Sequence, residues 1–323
     1  MRNRITKNRI LRFFSNFRVE MLLLALICVF SILSPDFFSW LNFRNLLLQN
    51  THMFIVVAGL AFIMIGGGVD LSIGYQISLV TVVIGLLTNH GISPILACLA
   101  GVMTGFLCGL INGWMVAKLM IVPYAATMVS MLLFRGLSYS ISDGRSFGNI
   151  SHWFRTLTRE VFCGIHVDLW IALLCMLFAH VVFKYTFWGK QIRAIGENKQ
   201  ATQRSGVDIT KVTVWCYVTA SSLYAVAAII LISVQGVASP ASGVGMEVTA
   251  IAAMFIAGVT CSTEKGITGN VDVEKLVGAV LICGIIENGV QMLGGSQFIK
   301  HLLVFAIVLL NMTEYRYRQR SKG

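Results

Sequence analysis

The residues most able to do chemistry in this chain lie in one glycine-rich interruption, Gly66-Gly67-Gly68-Val69-Asp70-Leu71-Ser72-Ile73-Gly74. Three successive glycines make a continuous helix costly, at about 1 kcal/mol each relative to alanine. Asp70 and Ser72 both carry side chains able to cap a helix that restarts here. Two readings stay open. One is a break that lines or gates a polar pathway, since broken helices inside a membrane occur where protein or a water-filled cavity satisfies the freed backbone. The other is an ordinary cytoplasmic turn with a capping aspartate. Depth decides between them, because an ionisable residue well inside a membrane is a functional group by default.

Asn112, Glu287 and Asn288 are the other polar groups within or beside apolar stretches. They either hydrogen-bond neighbouring helices or line a substrate path together with Asp70 and Ser72. His52, His180 and His301 are isolated from one another. The chain contains no HExxH, no clustered carboxylates, no lysine-bearing phosphate loop and no GxSxG. Metal catalysis, nucleotide hydrolysis and acyl transfer therefore have no foothold. No catalytic residue, metal site or cofactor is expected. The eight cysteines include no CxxC pair, and Cys28, Cys98, Cys108, Cys175, Cys216 and Cys283 lie inside apolar runs. They read as small buried hydrophobes.

The elements that must position these groups follow from composition. Of 323 residues, 56% are hydrophobic and only 12% charged, with a mean hydropathy of +0.78. A soluble domain carries roughly 25% charged residues. The bilayer must be the solvent. A helix crosses its hydrocarbon core with about 20 mostly apolar residues. The apolar runs predict an all-α, polytopic membrane protein with about ten spans: 19–34, 46–66, 71–88, 94–117, 121–141, 168–187, 212–235, 247–261, 276–292 and 298–313. The whole chain, 1–323, is expected to form a single transmembrane domain.

The net charge of +11 would suit nucleic acid, but the Lys and Arg residues sit between apolar segments rather than on one face. They read as topology signals. Arg2, Arg4, Lys7, Arg9, Arg12 and Arg18 precede the first apolar run without a small-residue cleavage site after it. An uncleaved first span with a basic cytoplasmic N-terminus, 1–18, is expected. With both termini inside, nineteen of the 25 Lys and Arg residues fall on the cytoplasmic side, including the tail 314–323. The segment 142–167 then faces outward, and its aromatic, mixed-charge character suits an interfacial helix or a partner-facing loop. Gly109-Leu-Ile-Asn112-Gly113 echoes Gly284-Ile-Ile-Glu287-Asn288-Gly289 in a helix of opposite direction. An inverted repeat of this kind is common in transporters.

Between two spans lies the polar stretch 184–211, whose part 188–211 is the expected cytoplasmic coupling loop. Asn198 is an N-cap residue, 199–205 gives about two helical turns, and Gly206 suits the left-handed residue that closes them. Asp208 or Thr210 can cap the next helix. A short capped helix on the basic side of the membrane is a docking element for something soluble, with Glu197 and Arg204 able to add charge contacts at its rim and Thr202 in its middle.

Several ordered stretches resemble the permease subunits of ABC importers for ribose and related sugars, a group that includes the autoinducer-2 importers. They are GGGVDLSIG, GLINGWMVAKLMIVPYAAT, GKQIRAIGENKQATQRSGVDITKV, GMEVTAIAAMFIAG and ENGVQMLG, spread from about residue 42 to 310. The resemblance implies a multi-pass permease of the bacterial inner membrane, paired with a similar or identical permease. Two cytoplasmic ATP-binding subunits and a periplasmic sugar-binding protein would complete the complex. It further implies that Gly196, Glu197, Asn198, Ala201 and Gly206 contact the ATPase. One stretch departs from the pattern: GVTCSTEKGITGNVDVEKLVG stands where the family has a compact glycine-rich segment. The competing expectation is an ion-gradient-driven secondary transporter of a small polar solute. That reading would need Asp70 and Glu287 on one ion path and no capped cytoplasmic helix.

Overall fold

The computed structural model describes residues 17–148, 150–159, 161–262, 266–268, 272–296, 298–300 and 302–309. The N-terminal arginines up to Arg12, Lys265, His301 and the tail 314–323 lie outside them. Ten apolar stretches are helical: α1 Arg18–Leu33, α2 Trp40–Ile65, α3 Ile73–Asn89, α4 Pro94–Ala117, α5 Pro123–Ser142, α7 Val167–Tyr185, α10 Ile209–Gln235, α11 Met246–Ala257, α12 Val273–Met292 and α13 Phe298–Leu309. Between them come α6 His152–Arg159, α8 Phe187–Glu197 and α9 Lys199–Arg204. Four helices, α2, α4, α7 and α10, are long and apolar enough to cross a membrane.

α2 is the axis of the bundle. Every residue from Phe54 to Ile65 is buried, because an all-round apolar helix has no face to give to water. It starts six residues earlier than the apolar run suggests. The Ser39 hydroxyl accepts from the Asn42 amide at 3.2 Å and so caps the helix outside its apolar part. α4, by contrast, is buried along one stripe only, and Leu96, Leu99, Met103 and Leu107 point outward. That stripe is Gly101, Gly105, Gly109 and Gly113, at four-residue spacing. A Cβ on Gly105 would come 2.7 Å from the Ser221 carbonyl oxygen, and one on Gly109 would come 2.6 Å from Val218 Cα. α4 thus lies directly on the backbone of α10. Lipid tails are as apolar as leucine, so such close backbone approach, rather than exclusion from water, holds membrane helices together.

α11 has 12 residues and ends at Ala257 rather than at 261. Gly258 takes φ +115°, a conformation that L side chains rarely adopt, and the chain leaves as the strand Thr260–Ser262. That strand pairs antiparallel with Gly266–Thr268, so the segment that departs from the family pattern carries a strand pair. The segment 142–167 holds α6 and a short antiparallel strand pair, Val161–Phe162 with Ile165–His166. Phe154 of α6 is fully buried beside Trp153, their rings edge to face at 5.2 Å.

Candidate functional site

The glycine interruption sits between α2 and α3, its backbone from Gly66 to Val69 half-buried and its polar side chains enclosed. Asp70, Ser72, Gln76 and Asn112 have no solvent exposure. Asp70 Oδ1 accepts from the Ser72 amide at 2.8 Å and from the Ser72 hydroxyl at 2.6 Å, while Oδ2 accepts from Gln76 Nε2 at 3.1 Å. Asn112 Nδ2 reaches across from α4 to donate to Ser72 Oγ at 2.9 Å. The Leu71 amide donates to Thr127 Oγ1 of α5, and the Tyr217 hydroxyl of α10 donates to the Val69 carbonyl. Side chains from α3, α4, α5 and α10 therefore meet the broken backbone, and they satisfy groups that neither helix can satisfy itself.

The capping expectation for this site needs correcting. Ser72 is the N-cap of α3, but neither its side chain nor that of Asp70 accepts from the first turn. Ser72 Oγ is committed to Asp70, Gln76 and Asn112 instead. The interruption is a cross-helix clasp rather than a local cap. Among the described residues, no lysine or arginine forms an ion pair with Asp70. Gln76 Oε1 and Asn112 Oδ1 are buried without a hydrogen-bond partner. Sealed as it stands, the clasp can border a pathway only in a conformation where the interruption opens.

Glu287 and Asn288 belong to a different group. Asn288 and Asn42 exchange a reciprocal pair of amide hydrogen bonds at 3.0 Å, joining α12 to the first turn of α2. Glu287 pairs with Lys300 of α13 and keeps 44% of its side chain exposed. Asn42 and Ile65 are separated by 23 helical steps, about 35 Å at 1.5 Å each. Asp70 follows Ile65, so the two polar groups lie at opposite ends of α2.

The polar segment 184–211 packs at the Asp70 end. It holds one helix more than its caps announce. Thr186 Oγ1 accepts from the Gly189 amide at 3.1 Å and starts α8, which buries Ile192 and Ile195. The cap at Thr186 and the three-residue spacing of those isoleucines are the signals for it. Phe62 of α2 stacks on Trp188 with ring centroids 5.4 Å apart. At the other end of α8, a Cβ on Gly196 would fall on the Ile65 carbonyl oxygen, immediately before the interruption. Beside this contact lies a cavity of about 190 Å³, lined by Gly66, Gly67, Gly68, Ile192, Ile195 and Lys199.

α9 follows as read from its caps. Asn198 Oδ1 accepts from the Ala201 amide at 2.9 Å, Gly206 has φ +84°, and Asp208 Oδ1 accepts from the Lys211 amide at 3.0 Å. That last bond holds the Asp208 carboxyl below its ordinary pKa. Glu197, Asn198, Ala201, Arg204 and Gly206 are exposed, Gly196 is half-buried, and Thr202 is buried with its hydroxyl on the Asn198 carbonyl. One face of α9 thus grips the protein while Ala201 and Arg204 stand clear of it.

A model of the family described as "Branched-chain amino acid transport system / permease component" matches residues 42–312. The chain belongs to this permease family. It is 35% identical over 290 residues to the ribose import permease protein RbsC of Bacillus subtilis (strain 168), covering 89% of this chain and 88% of that one. The ribose import permease protein RbsC of Haemophilus influenzae is 30% identical over 326 residues, covering 100% and 99%. The L-arabinose transport system permease protein AraH of Escherichia coli (strain K12) is 29% identical over 292 residues, covering 90% and 88%. No solved structure matches the chain. Membership makes this a membrane-embedded transport permease, in keeping with its four long apolar helices.

Proposed function

We propose that this chain is the membrane-spanning permease subunit of an ATP-binding-cassette importer, translocating a sugar or sugar-like small molecule such as a ribose-type monosaccharide or autoinducer-2. Two cytoplasmic ATP-binding subunits energise it, a periplasmic binding protein delivers the substrate, and a second permease completes the membrane unit. The membrane is the bacterial inner membrane, crossed about ten times, with both termini cytoplasmic. The observation that carries this reading is the direct seat of the capped segment on the interruption. Gly196 lies against the Ile65 carbonyl, so a displacement of α8 and α9 is felt at once by the backbone that leads to Asp70. Gly196, Glu197, Asn198, Ala201, Thr202, Arg204 and Gly206 form the coupling element. Asp70, Ser72 and Asn112 border the pathway at its inner end, with Glu287 and Asn288 at its outer end. The ion-gradient alternative needs Asp70 and Glu287 on one path, and their separation along α2 weighs against it.

The orientation has its own test. Cys163 is exposed in the outer hairpin, at a left-handed turn residue. An impermeant thiol reagent added to intact cells is expected to label it, and to leave Gln203→Cys untouched in a background without Cys163. Gln203 is the better reporter than its neighbour because Thr202 is buried. Labelling of Gln203→Cys from outside would invert the topology. For the substrate, uptake of labelled ribose and arabinose should be measured in cells making this chain with an ATPase and a binding protein of the same importer. Uptake is expected to vanish when this chain is omitted. Unchanged uptake without it would remove the permease role.

A further inference from the structure

A charged cavity of about 210 Å³ opens beside the junction of α7 and α8. Its two walls are opposite in sign. His180 and Lys184 come from the last turns of α7 and Arg193 from α8, while Asp272 and Glu274 come from the start of α12. No ion pair joins Lys184 to Asp272 or Glu274 across the gap. Lys184 rests instead over the ring of Tyr185. A space with a cationic and an anionic wall suits a compact ligand carrying both charges.

The surface leading to the cavity narrows the choice. Leu173, Leu177, His180 and Lys184 follow one another at spacings of four, three and four residues, so they form a single stripe of α7. Leu173 and Leu177 are about half exposed, on one of the helices long and apolar enough to cross a membrane. The stripe is therefore apolar along the helix and charged at its end. Tyr185 and Phe187 are exposed beside that end, where aromatic side chains mark the membrane–water boundary.

We propose that this cavity seats the headgroup of a zwitterionic phospholipid bearing a primary amine, of the phosphatidylethanolamine type. Its phosphate lies against Lys184, its ammonium donates to Asp272 and Glu274, and its acyl chains follow Leu177 and Leu173. A trimethylammonium headgroup has no N–H to donate to the acidic wall. A phosphatidylglycerol headgroup brings no positive charge to it. The site requires only the membrane-embedded fold and is independent of what the protein transports.

The test is native mass spectrometry of the full chain with phosphatidylethanolamine, phosphatidylcholine and phosphatidylglycerol of identical acyl chains. Phosphatidylethanolamine is expected to be retained about tenfold over phosphatidylcholine, a ratio that one charge-assisted hydrogen bond supplies. Glu274→Gln should erase that preference, and Lys184→Gln should weaken retention of all three lipids. Both residues are exposed, so neither change threatens folding. Equal retention by the unaltered protein would overturn the proposal. So would a preference that survives Glu274→Gln, as it would if the acids merely offset the dipole of α12. Soluble glycerophosphoethanolamine, the same headgroup without chains, should fail to displace the lipid at equal concentration. Displacement by it would remove the role of the apolar stripe.

Discussion

Ala201→Arg is expected to abolish co-purification of this chain with its ATPase while leaving the chain folded. Ala201 is exposed in the middle of α9, and the helix is held from its other side by Thr202 and from its start by Asn198. Nothing in the protein itself objects to a longer side chain at 201. A partner groove that admits a methyl group would meet a guanidinium. Burying that charge without a counter-ion costs about 3–5 kcal/mol, which is more than a hundredfold in affinity. Pull-down of the ATPase, with thermal unfolding of the permease alone, separates docking from folding. Gly206→Val offers a second view, because a β-branched residue at φ +84° strains the end of α9 without adding charge. Normal assembly of Ala201→Arg would take the docking role away from α9.

Asp70→Ala is expected to damage both stability and transport. The carboxylate is the shared acceptor of the Ser72 amide, the Ser72 hydroxyl and the Gln76 side-chain amide, and all three residues have no solvent exposure. Each buried donor left without an acceptor costs roughly 1–3 kcal/mol. Gln76 keeps Ser72 Oγ as an acceptor, so the two donors of Ser72 put the total at about 2–6 kcal/mol. Asp70→Asn retains one acceptor oxygen and should lose less. Uptake and thermal unfolding measured on the same preparations order the three proteins as Asp70, then Asn, then Ala. If Asp70→Ala unfolds and transports like the unaltered protein, the clasp has no role beyond that of a turn.

What the sequence made legible was local. Asn198, Gly206 and Asp208 announce α9 and the start of α10 because caps act within three residues of themselves. The apolar runs mark the all-α character and the four long apolar helices, because hydropathy too is read locally. The clasp was half legible. Asp70 and Ser72 are two residues apart, but Asn112 is 40 residues away from Ser72, and Tyr217 is 148 away from Val69. No periodicity reports which helices meet, so the two residues looked like caps for the nearest helix. Asn42 and Asn288, 246 residues apart, illustrate the same limit. The four-residue glycine stripe of α4 was visible in the letters and marks a close helix contact. What it could not name was α10 as the partner. The start of α2 was missed because Ser39 caps it from outside the apolar run that was used to place it.

The central claim is that ATP hydrolysis by a separate subunit, transmitted through α9 and the interruption, drives transport through this chain. Proteoliposomes holding the permease, its ATPase and its binding protein test it most directly, with sugar uptake measured under two energy sources. With ATP available to the ATPase and no ion gradient, uptake is expected to proceed, and to stop in Ala201→Arg. Uptake driven by a sodium or proton gradient without ATP, and unaffected by Ala201→Arg, would contradict the account.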